Sequence, residues 1–124
     1  MKERYLVLVE FNPEKREQLK RAAAEAGSRG MEGIIALLPP DLARASKAHQ
    51  EYLKRLGSEG RYFAGGPAIV LEGKAIDGIN LFEAETEKEL RQLIAEDPFQ
   101  TEGIFGTLHI YKWNVIAGSG FARS

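Results

Sequence analysis

The sequence contains no cysteine. Disulfides, thiol chemistry and cysteine-ligated zinc are thereby excluded, and a cytoplasmic setting is the simpler expectation. Histidine is nearly absent too: His49 and His109 are the only two, too few for a histidine-rich metal site within one chain, so no metal is expected. No apolar run approaches the ~20 residues needed to span a bilayer, and no membrane partner is expected. The opening MKERYLVLVEF carries an apolar stretch of strand length and lacks the longer apolar region of a signal peptide. Nor does one sign of charge dominate. Lys and Arg number 17 against 18 Asp and Glu, a net charge of −1, which gives no pull toward nucleic acid or acidic lipid. Tandem repeats and low-complexity tracts are likewise missing.

What is present is ordinary globular composition: 124 residues, 44% apolar and 28% charged. That length predicts one domain with its own core, folded over residues 1–116 and followed by a loose tail at 117–124.

The chain is organised around the stretch AHQEYLKRLGSEGRYFAGGP, Ala48 to Pro67, which predicts a helix, a glycine turn and a buried strand. From Leu42, the apolar or small positions Ala45, His49, Tyr52, Leu53 and Leu56 recur at three-and-four spacing, one face of a helix. Lys47, Glu51, Lys54 and Arg55 fall on the other face. His49 is therefore turned inward, where an unpaired polar group costs roughly 1–3 kcal/mol, and it needs a partner. Spacing alone leaves open a core histidine with a backbone partner and a functional one. The helix is expected to stop at Gly57, and Gly65-Gly66 to let a ligand approach the backbone.

Tyr5 to Phe11, apolar on both faces, predicts a central strand. Asn12-Pro13 opens a helix to about Ala26, with Asn as cap and Pro at the first helical position; its thin apolar side, Leu19, Ala22, Ala23 and Ala26, predicts a surface helix. Met31 to Leu38 is too apolar for a free loop. It fits a short helix lidding a pocket, a patch buried by a second subunit, or a cover on the chain's own core. Pro39-Pro40-Asp41 opens the His49 helix. Ile76 to Ala84 predicts a strand, Thr86 with Glu89 a capping box, and Leu90, Leu93 and Ile94 the inner face of the helix that follows. Thr107 to Val115 predicts the last strand, with His109, Tyr111 and Trp113 on one face and Leu108 and Ile110 on the other.

With residues 12–40 set aside as a helical insertion after the first strand, the order is βαββαβ. This is the ferredoxin-like plan: an α+β fold with a four-stranded antiparallel sheet and both long helices on one face. The other face is left apolar and open, and its simplest cover is a second copy, giving a homodimer across a two-fold axis. RNA-recognition domains share this strand order, but AIDGINLFEA lacks their basic-Gly-aromatic signature and the charge balance is wrong, so no nucleic acid is expected.

Asp97 is the second residue of chemical interest. It ends the helix from Thr86, where the dipole disfavours a carboxylate, so something else must hold it. One reading is a cap on the turn from Pro98 to Gly103. His109 reads as a half-exposed strand residue, and Ser58, after the helix, as a surface one.

The ordered set HQEYLKRLGSEGRYFAGGP, FEAET, AEDPF and a last strand ending in tryptophan resembles the YCII-related family, from about Leu42 to Trp113 plus the first strand. His49 with Tyr52-Leu53, and Asp97-Pro98-Phe99, are the specific parts. The resemblance implies a ferredoxin-like fold forming a dimeric α+β barrel, with a His–Asp pair in a pocket that would be His49 and Asp97 here. Most members have no assigned reaction. One related branch eliminates chloride from a chlorinated hydroxyquinol, and the wider superfamily includes lactone isomerases and cofactor-free monooxygenases. The insertion at 12–40 departs from the family's short link between first strand and first helix.

On that footing His49 and Asp97 are the expected catalytic pair, handling a proton without a cofactor in lyase or isomerase chemistry on a small organic acid. Gly65-Gly66 would offer backbone N–H groups, and Tyr52, Phe63 and Phe99 an aromatic wall, with Pro67 closing the binding set. The alternative from another class is a non-catalytic, small-molecule-binding or regulatory homodimer.

Overall fold

β1 (Glu3–Phe11) lies at the centre of the sheet in the computed structural model, which describes residues 2–118. After it come α1 (Pro13–Ala26), a 3-10 turn (Gly27–Arg29), α2 (Gly30–Ala36) and α3 (Pro40–Ser58). β2 (Tyr62–Pro67), β3 (Gly78–Ala84), α4 (Glu87–Ala95), α5 (Pro98–Thr101) and β4 (Phe105–Trp113) complete the order. The strands pair antiparallel as β2-β3-β1-β4, an α+β fold with the ferredoxin-like arrangement. Of the expected tail at 117–124, the part beyond 118 lies outside the described residues.

The register decides which side chains meet the helices. Val7 stands opposite Asn80 on β3 and Ile110 on β4, and opposed residues share a face. Tyr5, Val7, Val9, Phe82 and Ala84 form the sheet side of the main core. Tyr52 and Leu56 of α3, and Leu90, Leu93 and Ile94 of α4, form the helix side. The opposite face carries Leu6, Leu8, Ile79, His109, Tyr111 and Trp113, and no helix of the described residues covers it.

A second apolar cluster joins Leu19 and Ala22 of α1 to Leu38, Leu42 and Ala45, and to Phe99 and Ile104. α1 is the surface helix its composition predicts. Residues 30–38 cover the chain's own core through Ile34 and Leu38, while Leu37 stays exposed.

Local chemistry explains where elements start and stop differently from expectation. α3 does not stop at Gly57 but runs to Ser58, and the left-handed residue is Gly60, with φ +75°. Gly60 N–H donates to the Gly57 carbonyl (3.1 Å) and Arg61 N–H to Leu56 (2.8 Å), the paired bonds of a Schellman close. β2 is an edge strand and largely exposed, not buried, because β3 pairs with it on one side only. β4 starts two residues early, at Phe105, which opposes Phe11 across a register shift. β3 begins at Gly78 rather than Ile76 because Asp77 is used otherwise.

Asp77 pins the insertion to the sheet. Its backbone N–H donates to Val9 O (2.8 Å), and its Oδ2 accepts from Phe11 N–H (2.8 Å) and Arg16 Nε (2.8 Å). Lys20 Nζ lies 3.3 Å from Oδ1. Burial alone would raise the pKa of this carboxyl. The Phe11 N–H and the Arg16 and Lys20 cations outweigh burial and hold it below the usual aspartate value.

Candidate active site

The geometry at Asp97 begins with its backbone. Asp97 follows the last turn of α4, but it is also the N-cap of α5, with Pro98 at the first helical position. Its carboxylate meets the N–H end of α5 and so escapes the unfavourable end of α4. Oδ1 accepts from Phe99 N–H at 2.9 Å, the bond expected of a cap. The same oxygen lies 2.7 Å from His49 Nδ1, so one side chain both caps a helix and partners the histidine. Asp97 is 2% exposed and His49 8%.

His49 lies on the inward stripe of α3, as its spacing requires. Its ring stacks parallel on Phe99, with centroids 3.9 Å apart, and Phe105 meets it edge-on at 6.0 Å. Phe99 is itself met edge-on by Phe11 (6.1 Å) and Phe105 (5.7 Å). With Nδ1 donating to Asp97, a neutral imidazole keeps its lone pair on Nε2. Among the described residues Nε2 is the ring nitrogen left without a hydrogen bond, and it is not wholly occluded. One turn earlier on the same stripe, the Ser46 hydroxyl is fully buried without a hydrogen-bond partner, which closes it to a substrate.

The expected binding residues do not all gather here. Phe99 does. Tyr52 serves as a strut: its hydroxyl donates to Leu93 O at 2.6 Å, tying α3 to α4. Burial, then the nearby charges of Glu96 and Asp97, push its pKa up to about 12, so it stays a neutral phenol. Phe63 is half-exposed on β2, at a register shift. Pro67 is exposed opposite Gly78, and Gly66 opposes Ile79 on the face away from the helices. Gly65 does admit something close, but it is the chain's own Tyr62 hydroxyl.

Ser58 is exposed and bonded to Arg55 O. His109 is half-buried on the open sheet face, its Nε2 2.7 Å from Glu10 Oε2, and this hydrogen bond holds the Glu10 carboxyl below its usual pKa. Phe11 and Phe105, which frame the pair, are absent from the sequence-based set. Their signal lay in strand alternation: Phe11 falls on the Val7 and Val9 side of β1. Among the described residues, two of the surface hollows lie elsewhere. One of about 140 Å³ sits between Ile94 and Leu108, the other of about 220 Å³ between Gln18 and Pro39, and neither includes His49 or Asp97. Among the described residues no three His, Asp or Glu side chains converge as a metal site would need, and no helix is long and apolar enough to cross a membrane.

Comparison with known proteins adds the following. The model of the YCII-related domain matches residues 4–114. No curated protein matches significantly. Among solved structures, the chain is similar to 5-chloro-2-hydroxyhydroquinone dehydrochlorinase from Burkholderia phenoliruptrix, in complex with 2,5-dihydroxybenzoquinone. The two are 18% identical, with a TM-score of 0.55 over 90% of this chain and 93% of that one, which shows the shared fold.

Proposed function

The chain belongs to the YCII-related family, and from that premise we propose that it performs cofactor-free proton transfer, of lyase or isomerase type, on a small organic acid. One observation carries the reading: a buried His49–Asp97 pair at 2.7 Å whose outer nitrogen is unengaged. Asp97 and the Phe99 ring hold the imidazole in one tautomer and one plane, leaving Nε2 as the base.

The step balances without further reagents. Nε2 takes a proton from carbon next to a carbonyl, or from a phenol, and becomes imidazolium beside the Asp97 carboxylate. From carbon, the electron pair moves into the carbonyl as an enolate; from a phenol, it stays on oxygen as a phenolate. That anion either expels a leaving group with its bonding pair, the imidazolium giving its proton to the leaving group or to water, or takes the proton back from the imidazolium at another carbon. The structural neighbour was captured with a hydroxylated quinone, which furnishes a first probe.

The test is a screen of small cyclic hydroxy and keto acids for turnover, followed by His49→Gln. Turnover that the variant lowers by about 10²-fold or more supports the reading. Turnover unchanged in the variant overturns it.

A second reading, a small-molecule-binding homodimer without catalysis, is favoured by the open sheet face, where Ile79, Tyr111 and Trp113 are each 41–50% exposed. Pairing of two such faces would give the dimeric barrel. It predicts ligand-induced stabilisation that His49→Gln leaves intact.

A further inference from the structure

We propose that Asn80, held by Tyr62, is the hydrogen-bond donor that receives the oxygen-bearing group of the molecule on which His49 acts; this rests on the proton-transfer reading above.

The strand register supplies the first observation. Asn80 on β3 opposes Val7 on one side and Gly65 on the other, so its side chain and the missing one of Gly65 belong to the helix-facing side of the sheet. Most of that side is sealed core. Here it is not: Asn80 and Tyr62 are only partly buried and Gly65 is exposed. α3, the helix that carries His49, packs against β2 at this edge.

The second observation is how the polar pair is built. Tyr62 Oη donates to Asn80 Oδ1 at 2.8 Å, and the Tyr62 ring is steadied edge-on by Phe82, 5.1 Å away. A Cβ at position 65 would overlap the Tyr62 hydroxyl and lie 2.5 Å from Asn80 Oδ1. Glycine at this position is what allows the bond. With Oδ1 engaged, the orientation of the amide is set and its Nδ2 hydrogens are left over. Among the described residues Nδ2 has no hydrogen-bond partner and is not occluded. An oriented, unspent donor on a sheet face otherwise given to apolar packing is suited to an oxyanion.

The third observation agrees with the placement that the register and the packing of α3 on β2 give. The Asp97 charge acts on Tyr62, adding to burial in pushing the phenol up to about 12. Tyr62 therefore remains a protonated donor to Asn80. The ligand class that fits is a compact ring bearing a carbonyl or phenolate oxygen: the oxygen on Asn80, the acidic C–H or O–H toward His49.

The experiment measures 2,5-dihydroxybenzoquinone binding by calorimetry, with melting temperatures recorded alongside. Asn80→Asp keeps an acceptor for Tyr62 but replaces the donor with a carboxylate. The expected result is an affinity lowered about tenfold or more with melting little changed. Gly65→Ala, which dislodges the Tyr62 hydroxyl and also meets the Ile79 backbone carbonyl at 2.9 Å, is expected to weaken binding in the same direction, and with its melting temperature recorded it serves if Asn80→Asp folds poorly. Wild-type affinity in both variants, with binding lost in His49→Gln, overturns the role of Asn80 and leaves the His49 reading standing. A wild type that binds no better than Asn80→Asp, Gly65→Ala and His49→Gln overturns both.

Discussion

The rings of His49 and Phe99 lie parallel, 3.9 Å apart with 1° between their planes. This stacking follows from Asp97. Phe99 is the second residue of α5, the helix that Asp97 caps, and Asp97 is also the partner of His49. One carboxylate thus sets the imidazole in its plane and aims the ring beneath it, and the site depends on that double use.

Asp97→Asn separates the two tasks. Asparagine also caps helices well, so the fold and the Phe99 bond are expected to survive. The negative charge facing Nδ1 is lost, and turnover on any substrate found should fall about 10²–10⁴-fold while the melting temperature changes little. A variant that retains turnover would remove Asp97 from the chemistry.

Phe99→Ala removes the floor of the site and a buried ring of the second core. A loss of about 3–5 kcal/mol is expected, read from denaturant unfolding. A loss below about 1 kcal/mol would mean that the ring contributes little to packing.

Asp77 is expected to contribute to acid stability. Its folded pKa is depressed, so its contribution is present above the unfolded aspartate value, about 3.9, and disappears as pH falls through the lower folded value. Asp77→Asn is expected to cost about 1.5–3 kcal/mol at neutral pH by weakening its bonds to Arg16 and Phe11 N–H. It should also flatten the decline in stability from pH 5 downward. An unchanged acid limb would show that Asp77 is not the group responsible.

Self-association rests on the open face. Wild type is expected to sediment as a dimer, and Ile79→Lys, which sets a charge among Leu8, His109 and Tyr111, to shift it toward monomer with folding retained. A wild-type monomer at tens of micromolar would remove the pairing of sheets from the proposal.

The register that gives the open face its residues also shows what the sequence held. Alternation along β1 and β4 is enough to sort Tyr111 and Trp113 from Leu108 and Ile110, and it does not depend on the partner strand. The inward turn of His49 was legible for the same reason, since three-and-four spacing assigns a face before the chain folds. Caps are similarly local: Thr86 accepts from Glu89 N–H at 3.1 Å, as its motif implies.

Partners across elements were decided only by the tertiary structure. His49 and Asp97 are 48 residues apart, and nothing in the spacing of either names the other without the family resemblance. Gly65 read as room for a ligand, whereas strand pairing gave that room to Tyr62. Asp77 read as part of a strand, whereas the position of α1 made it an anchor. Periodicity records the direction in which a side chain points. What it meets there depends on strand register and on how helices cross the sheet, which distant parts of the chain settle together.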